Sequence, residues 1–129
     1  MASSKELLVT ALVLAAMSLL TTGCGSGSPR RLQSVSVSPQ SADAINFPNG
    51  QVQFTAMGTY SQPPSPSAIP QSGWLLEESN IATISQSGIA QCNPGVSGVV
   101  TVKASTPGPC SGTGCTAPLF SGTAQLTCP

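Results

Sequence analysis

The sequence has no histidine and few charged residues. Charged side chains make up 6% of the chain, four basic against four acidic, so the formal net charge at pH 7 is zero. A chain this neutral creates no field that would attract DNA or RNA, and nucleic acid is not an expected partner. Histidine is the usual general base near neutral pH and the commonest metal ligand, so neither role can be filled in the usual way.

The remaining ionisable side chains are poorly placed for catalysis. After residue 31 the carboxylates are Asp43, Glu77 and Glu78, and the lysine is Lys103. Glu77 and Glu78 are neighbours and would point to opposite faces of a strand, so they cannot flank one substrate as a glycosidase pair does. Lys103 has the strand position of a solvent-facing side chain, where no burial activates it. We therefore expect no enzyme activity, no cofactor and no metal site.

The beginning of the chain is unusually apolar. Lys5 precedes an apolar run over residues 7–20, and small residues follow up to Cys24, which is the layout of an export signal. The run is shorter than the roughly 20 residues of a membrane-spanning helix, which disfavours a retained membrane helix. Export would bring the protein to a compartment where cysteines oxidise.

The stretch LTTGC, residues 20–24, resembles the bacterial lipoprotein signal. That signal has a leucine-small-small-cysteine box that is cleaved before the cysteine, whose thiol is then lipidated. Glycine precedes the cysteine here as in the family, and Thr21 stands where the family usually has leucine. The resemblance implies a signal peptide over residues 1–23 and lipidation at Cys24, with ordinary secretion as the alternative.

Residues 24–31, CGSGSPRR, have the glycine and serine content of a flexible linker and are expected to form a tether. Arg30 and Arg31 end this segment. Each could contact an anionic headgroup near a membrane surface for about 1 kcal/mol, although two charges form only a weak patch.

Beyond residue 31, apolar and polar residues alternate with the period of two that marks half-buried strands. The segments with the clearest alternation are LQSVSVS (32–38), QVQFTAMGTY (51–60), GVVTVKAS (98–105) and SGTAQLTC (121–128). About seven short strands at regular spacing, and no amphipathic helix, predict an all-β fold, an antiparallel β-sandwich.

Residues 61–72, SQPPSPSAIPQS, contain four prolines. Because proline cannot donate to a strand ladder, this segment is expected to form an extended surface loop. The spacing of Pro63 and Pro66 also fits a PxxP ligand, but the domains that bind such ligands are rare partners for an exported protein, and a stiff connector accounts for the composition.

Five segments in order resemble the bacterial Ig-like group 2 domain. The family has a valine-rich first strand, a strand like GQVQFTAMGTY, a tryptophan, a stretch like SNIATIS before a GIA turn, and a valine-threonine strand. All are present between Leu32 and Thr127. The proline-rich segment before Trp74 and the segment PGPCSGTGC depart from the pattern. The resemblance implies an Ig-like sandwich over residues 32–129 with a surface-exposed structural or adhesive role.

Four cysteines remain if Cys24 carries an anchor, and they can pair in three ways or bind zinc together. In a sandwich of the implied order, the strand that follows Cys92 leads to a loop at the opposite end, where Cys110 and Cys115 lie. The last strand then returns and brings Cys128 close to Cys92. We therefore expect the disulfides Cys92–Cys128 and Cys110–Cys115. A four-thiolate zinc site would need cysteines from both ends to meet.

Trp74 is the one tryptophan of a sequence with few aromatic residues. We expect it in the core of the sandwich, and an exposed stacking platform for a sugar is the alternative.

The sequence as a whole predicts a non-catalytic, lipid-anchored Ig-like module of the bacterial cell envelope with a structural or adhesive role. Its partners would be the membrane, reached through the anchor, and an unidentified envelope protein or glycan. The alternative is a soluble, secreted module that binds glycan or peptide.

Overall fold

The computed structural model describes residues 27–70, 72–110 and 112–129, so the predicted signal peptide and Cys24 lie outside the described residues. Within these ranges the chain forms ten β-strands and two single-turn 3-10 helices, Ala44–Asn46 and Pro48–Gly50. The strands are β1 (Leu32–Ser38), β2 (Ser41–Asp43), β3 (Gln51–Gln53), β4 (Thr55–Tyr60), β5 (Ser67–Ala68), β6 (Gly73–Leu76), β7 (Ala82–Ile84), β8 (Ile89–Cys92), β9 (Gly98–Pro107) and β10 (Leu119–Cys128).

The strands form two layers. One layer is a sheet in the order β2-β10-β9-β6. The other contains β1-β4-β5 and β3-β8-β7, which continue into each other because β3 and β4 are the halves of one strand interrupted at Phe54. All pairings are antiparallel except that of β2 with β10. The predicted all-β fold, an antiparallel β-sandwich, is confirmed.

The predicted number of about seven strands differs from the observed ten for local reasons. Phe54 divides one predicted strand in two, and Pro39 and Gln40 separate β1 from β2 as the chain moves from one layer to the other. The third addition is β5, which has only two residues.

The core consists of the apolar side chains that alternate along the strands. Val35 and Val37 from β1 are buried, as are the inward residues of β9 and β10. The largest fully buried side chains are Phe54, Leu126, Val37, Val52, Val100 and Val102. Most of them are β-branched or aromatic, which suits packing between two pleated sheets.

The proline-rich segment folds back onto the sheet. Ser67 and Ala68 pair with Gly58 and Met57 of β4, and the amide of Ile69 donates to the carbonyl oxygen of Ala56 at 2.8 Å. Ile69 is partly buried and packs against the core. The prediction of a surface loop is therefore right for the prolines at 63, 64 and 66, which are exposed, but it missed β5.

The two ends of the sandwich differ, and the hydrogen bonds define them. Gly122 of β10 lies beside Val35, and the amide of Gln125 donates to the carbonyl oxygen of Gln40 at 2.9 Å, so β1 and β10 run in the same direction. The first residues of both strands therefore share one end, called the tether end here, with residues 60–67, 107–110 and 112–119. The opposite end, with Gly98 and Cys128, is called the distal end.

Candidate functional site

Disulfides lie at both ends of the sandwich. Cys92 is bonded to Cys128 at the distal end with the Cα atoms 5.7 Å apart, and Cys110 to Cys115 at the tether end with 5.9 Å. These are the two pairs that the strand order predicts. The first pair joins β8 of one layer to β10 of the other. In the described part of the chain, no cluster of three or more potential ligands could hold a metal ion.

Arg30 organises the tether end. Its guanidinium carbon lies 3.5 Å from the centroid of the Tyr60 ring. Its Nε donates to the carbonyl oxygen of Gln62 at 3.3 Å, and Nη2 donates to the carbonyl oxygen of Pro64 and, at 2.6 Å, to the hydroxyl of Ser67. We call these five residues the Arg30 cluster. It ties the start of the domain to the proline-rich loop through a cation–π contact and charge-assisted hydrogen bonds.

Arg31 continues this attachment through its backbone. Its amide donates to the hydroxyl of Ser61 at 2.9 Å, and its carbonyl oxygen accepts from the Ser61 amide at 2.9 Å. Arg30 and Arg31, which the sequence assigned to the end of the tether, are thus held against the sandwich. Residues 27–31 are all exposed, and the hydrogen bonds of Arg30 and Arg31 hold the end of the predicted tether against the domain.

The described acidic side chains lie away from the tether end. Asp43 sits opposite Thr127, next to the distal end. Glu78 accepts a hydrogen bond from the amide of Thr101 at 2.9 Å, and the amide of the neighbouring Glu77 donates to the carbonyl oxygen of Thr101 at 3.1 Å. Thr101 belongs to the distal half of β9. Glu78 thus takes over the hydrogen bonding of β9 beyond the end of β6, a role that no sequence motif indicates.

Trp74 borders a cleft at the side of the sandwich. The cleft has a volume of about 590 Å³ and is lined by Trp74 with Pro70, Ser72, Gly73 and Gln86, and we call it the Trp74 cleft. The indole is partly buried and packs against the core. The expected core position of Trp74 is therefore correct only in part, because the same ring also forms a wall of the cleft.

Gly88 explains the position of the indole. A Cβ atom at Gly88 would lie 2.9 Å from Cζ2 and 3.0 Å from Cε2 of Trp74, and closer still to the Phe54 carbonyl oxygen. The backbone φ of Gly88 is +83°, in the region that favours glycine. The indole thus rests directly on the backbone of the turn between β7 and β8, which fixes its plane.

Two uncharged polar residues complete the cleft. The Ser72 hydroxyl oxygen is buried and has no hydrogen-bond partner within the described ranges. Gln86 is exposed, so its amide is available to solvent or a ligand. Neither residue is predictable from the sequence, because their proximity depends on how the segment before β6 folds beside the turn after β7. No local motif encodes that contact.

Lys103 lies on the outer face of β9, opposite Leu75 and Thr123, as its strand position predicts. The described chain contains no helix with the length and apolar character needed to cross a bilayer.

Comparisons with models of known families and with curated proteins find no match to this chain. The resemblance to bacterial Ig-like domains stays a prediction.

Proposed function

We propose that the protein is a non-catalytic, lipid-anchored Ig-like module of the bacterial cell envelope with a structural or adhesive role. The proposal joins the lipoprotein-like box that ends at Cys24 to the resemblance of residues 32–129 to bacterial Ig-like group 2 domains. The observation that carries it is the arrangement of the tether end, where the chain joins the sandwich through Arg30 and Arg31.

The Arg30 cluster shortens the tether. Between Cys24 and Arg30 there are residues 25–29, GSGSP, and a flexible segment of this length has a mean span of roughly 12 Å. Its fully extended span is at most about 20 Å. An acylated Cys24 would therefore hold the domain close to the bilayer with its tether end turned towards the lipid.

The distribution of charge supports this orientation. Arg30 and Arg31 would lie nearest to the headgroups, where each contributes about 1 kcal/mol on an anionic surface. Leu119, 69% exposed, is an apolar side chain at the same end. The described carboxylates lie in the distal half, where they would not be repelled by anionic lipid. The distal end and the sides of the sandwich stay accessible to an envelope protein or glycan.

Replacing Cys24 by alanine tests the anchor. In a bacterial host supplied with radiolabelled palmitate, the wild-type chain is expected to take up label and to fractionate with membranes, because acyl chains on Cys24 insert into the bilayer. Cys24→Ala is expected to lose both properties. The double variant Cys110→Ser/Cys115→Ser is the matched control and should keep them. The anchor would be refuted if the wild-type chain took up no label and remained in the soluble fraction.

A soluble, secreted module that binds glycan or peptide is the second candidate, and the Trp74 cleft favours it. It differs from the first in having no acyl anchor. The labelling experiment separates the two, since the secreted form would be unlabelled in the wild type and unaffected by Cys24→Ala.

A further inference from the structure

We propose that the Trp74 cleft is a binding site for a neutral, β-linked sugar chain. This inference deepens the adhesive part of the proposed function and rests on that part, since it names the class of partner. It does not depend on the acyl anchor, because the cleft lies on the side of the sandwich and is formed by the folded domain alone.

The aromatic wall of the cleft matches the apolar face of a pyranose. A β-linked glucose-type ring carries equatorial hydroxyls and exposes flat faces of C–H groups, which pack on an indole. Trp74 is held by Gly88 and the core, so little side-chain entropy is lost when a ring stacks on it. The cleft volume of about 590 Å³ lies within the range of roughly 300–1,000 Å³ that is usual for small-molecule sites.

The polar groups of the cleft match sugar hydroxyls. Buried polar atoms in folded proteins almost always have a hydrogen-bond partner, yet the Ser72 hydroxyl oxygen has none among the described residues. A sugar hydroxyl can either donate to the Ser72 hydroxyl or accept from it. The exposed Gln86 amide, which also lines the cleft, offers both a donor and an acceptor.

The ligand should be uncharged. None of the described residues that line the cleft carries a charge. Lys103 is on the adjacent strand, but it is paired with Leu75 on the outer face, whereas Trp74 is paired with Ala104. A carboxylate or phosphate in the cleft would lose its hydration without gaining a cationic partner, so charged ligands are disfavoured.

A sugar fits the cleft better than a peptide. Bound peptides commonly add a strand to a sheet edge and take their affinity from backbone hydrogen bonds. Pro70 has no amide hydrogen, so the wall before β6 offers fewer backbone donors to such a strand. The side-chain hydroxyl and amide groups beside the aromatic ring instead suit the hydroxyls and C–H faces of a sugar.

Tryptophan fluorescence tests the site directly, because Trp74 is the one tryptophan of the chain. The full chain is titrated with cellotetraose and with chitotetraose, both neutral and β-linked. At least one is expected to produce a saturable blue shift, since a stacked ring displaces water from the indole. Tetragalacturonate, the charged counterpart, and an uncharged hexapeptide with blocked ends are expected to produce none.

Variants of the polar cleft residues test whether the sugar binds in the Trp74 cleft. Ser72→Ala and Gln86→Ala are each expected to weaken the binding about 5- to 10-fold through the loss of a hydrogen bond. Gln125→Ala, on the outward face of β10, is the matched control and should bind like wild type. Urea unfolding curves confirm that each variant is folded.

The proposal is overturned by any of three results: no saturable shift with either neutral tetrasaccharide, an equal or larger response to tetragalacturonate or the peptide, or unchanged affinity in both cleft variants. The palmitate experiment is unaffected by these outcomes. A labelled, membrane-bound chain that ignores both sugars would leave the anchor standing and remove only the sugar site.

Discussion

Replacing both Cys92 and Cys128 by alanine is expected to lower the free energy of unfolding by about 4 kcal/mol in the chain-entropy description of disulfides. The two cysteines are 36 residues apart in sequence, so the bond removes much of the freedom of the unfolded chain. It also connects the last residues of β8 and β10 across the two layers. A small domain has only 5–15 kcal/mol of stability as a rule, so roughly a quarter or more would be lost.

The second disulfide provides the matched control. Cys110 and Cys115 are 5 residues apart and both are exposed. The chain-entropy description gives a decrease of about 2 kcal/mol in the free energy of unfolding when this pair is replaced by alanine. Urea unfolding followed by circular dichroism measures both variants. Equal losses for the two pairs, or a peptide map of the unreduced protein that joins Cys92 to Cys110, would contradict the assigned connectivity.

Substituting alanine for Gly122 is expected to destabilise the sandwich by about 2–3 kcal/mol, as overpacking in a core does. A Cβ atom at this position would lie 2.6 Å from the carbonyl oxygen of Val35 and 2.7 Å from the Cα atom of Ser36. Both are backbone atoms of β1, which cannot rotate away as a side chain would. The layers must separate locally where β1 crosses β10.

Gly73→Ala is the control for Gly122→Ala. Gly73 is also on a strand of the same sheet, but the nearest atom to its added Cβ is the Ser105 hydroxyl oxygen at 3.3 Å. The free energy of unfolding of Gly73→Ala is expected to stay within about 0.5 kcal/mol of the wild-type value, as for exposed positions in general. If the two alanine variants unfold at the same urea concentration, the close approach of β1 to β10 at Gly122 is contradicted.

The sequence predicts the sandwich well because each strand carries its own signal. Val100 and Val102 alternate with Thr101 and Lys103, and one face of the strand must then be buried whatever its neighbours are. The expected pairing of Cys92 with Cys128 follows from the strand order that the resemblance to bacterial Ig-like domains implies. Such features depend on residues that are close in sequence or on topology alone.

The parts that were missed depend on contacts between distant segments. Arg30 stacks on Tyr60 and Trp74 rests on Gly88, and neither pair is recognisable as a motif. The hydrogen bond from the Thr101 amide to Glu78 arises because β6 ends beside β9, which the spacing of strands does not reveal. The cleft is a product of such contacts, so its polar residues could be found only in the folded chain.

The mass of the N-terminal peptide of the mature protein tests the anchored-module account most directly. Trypsin cleavage after Arg30 releases the peptide that begins at Cys24 if signal cleavage occurs after Gly23. The account predicts CGSGSPR with an acylated cysteine as the N-terminal peptide, recovered from the membrane fraction. A mature chain that starts at another residue, or an N-terminal peptide with unmodified Cys24, would contradict it.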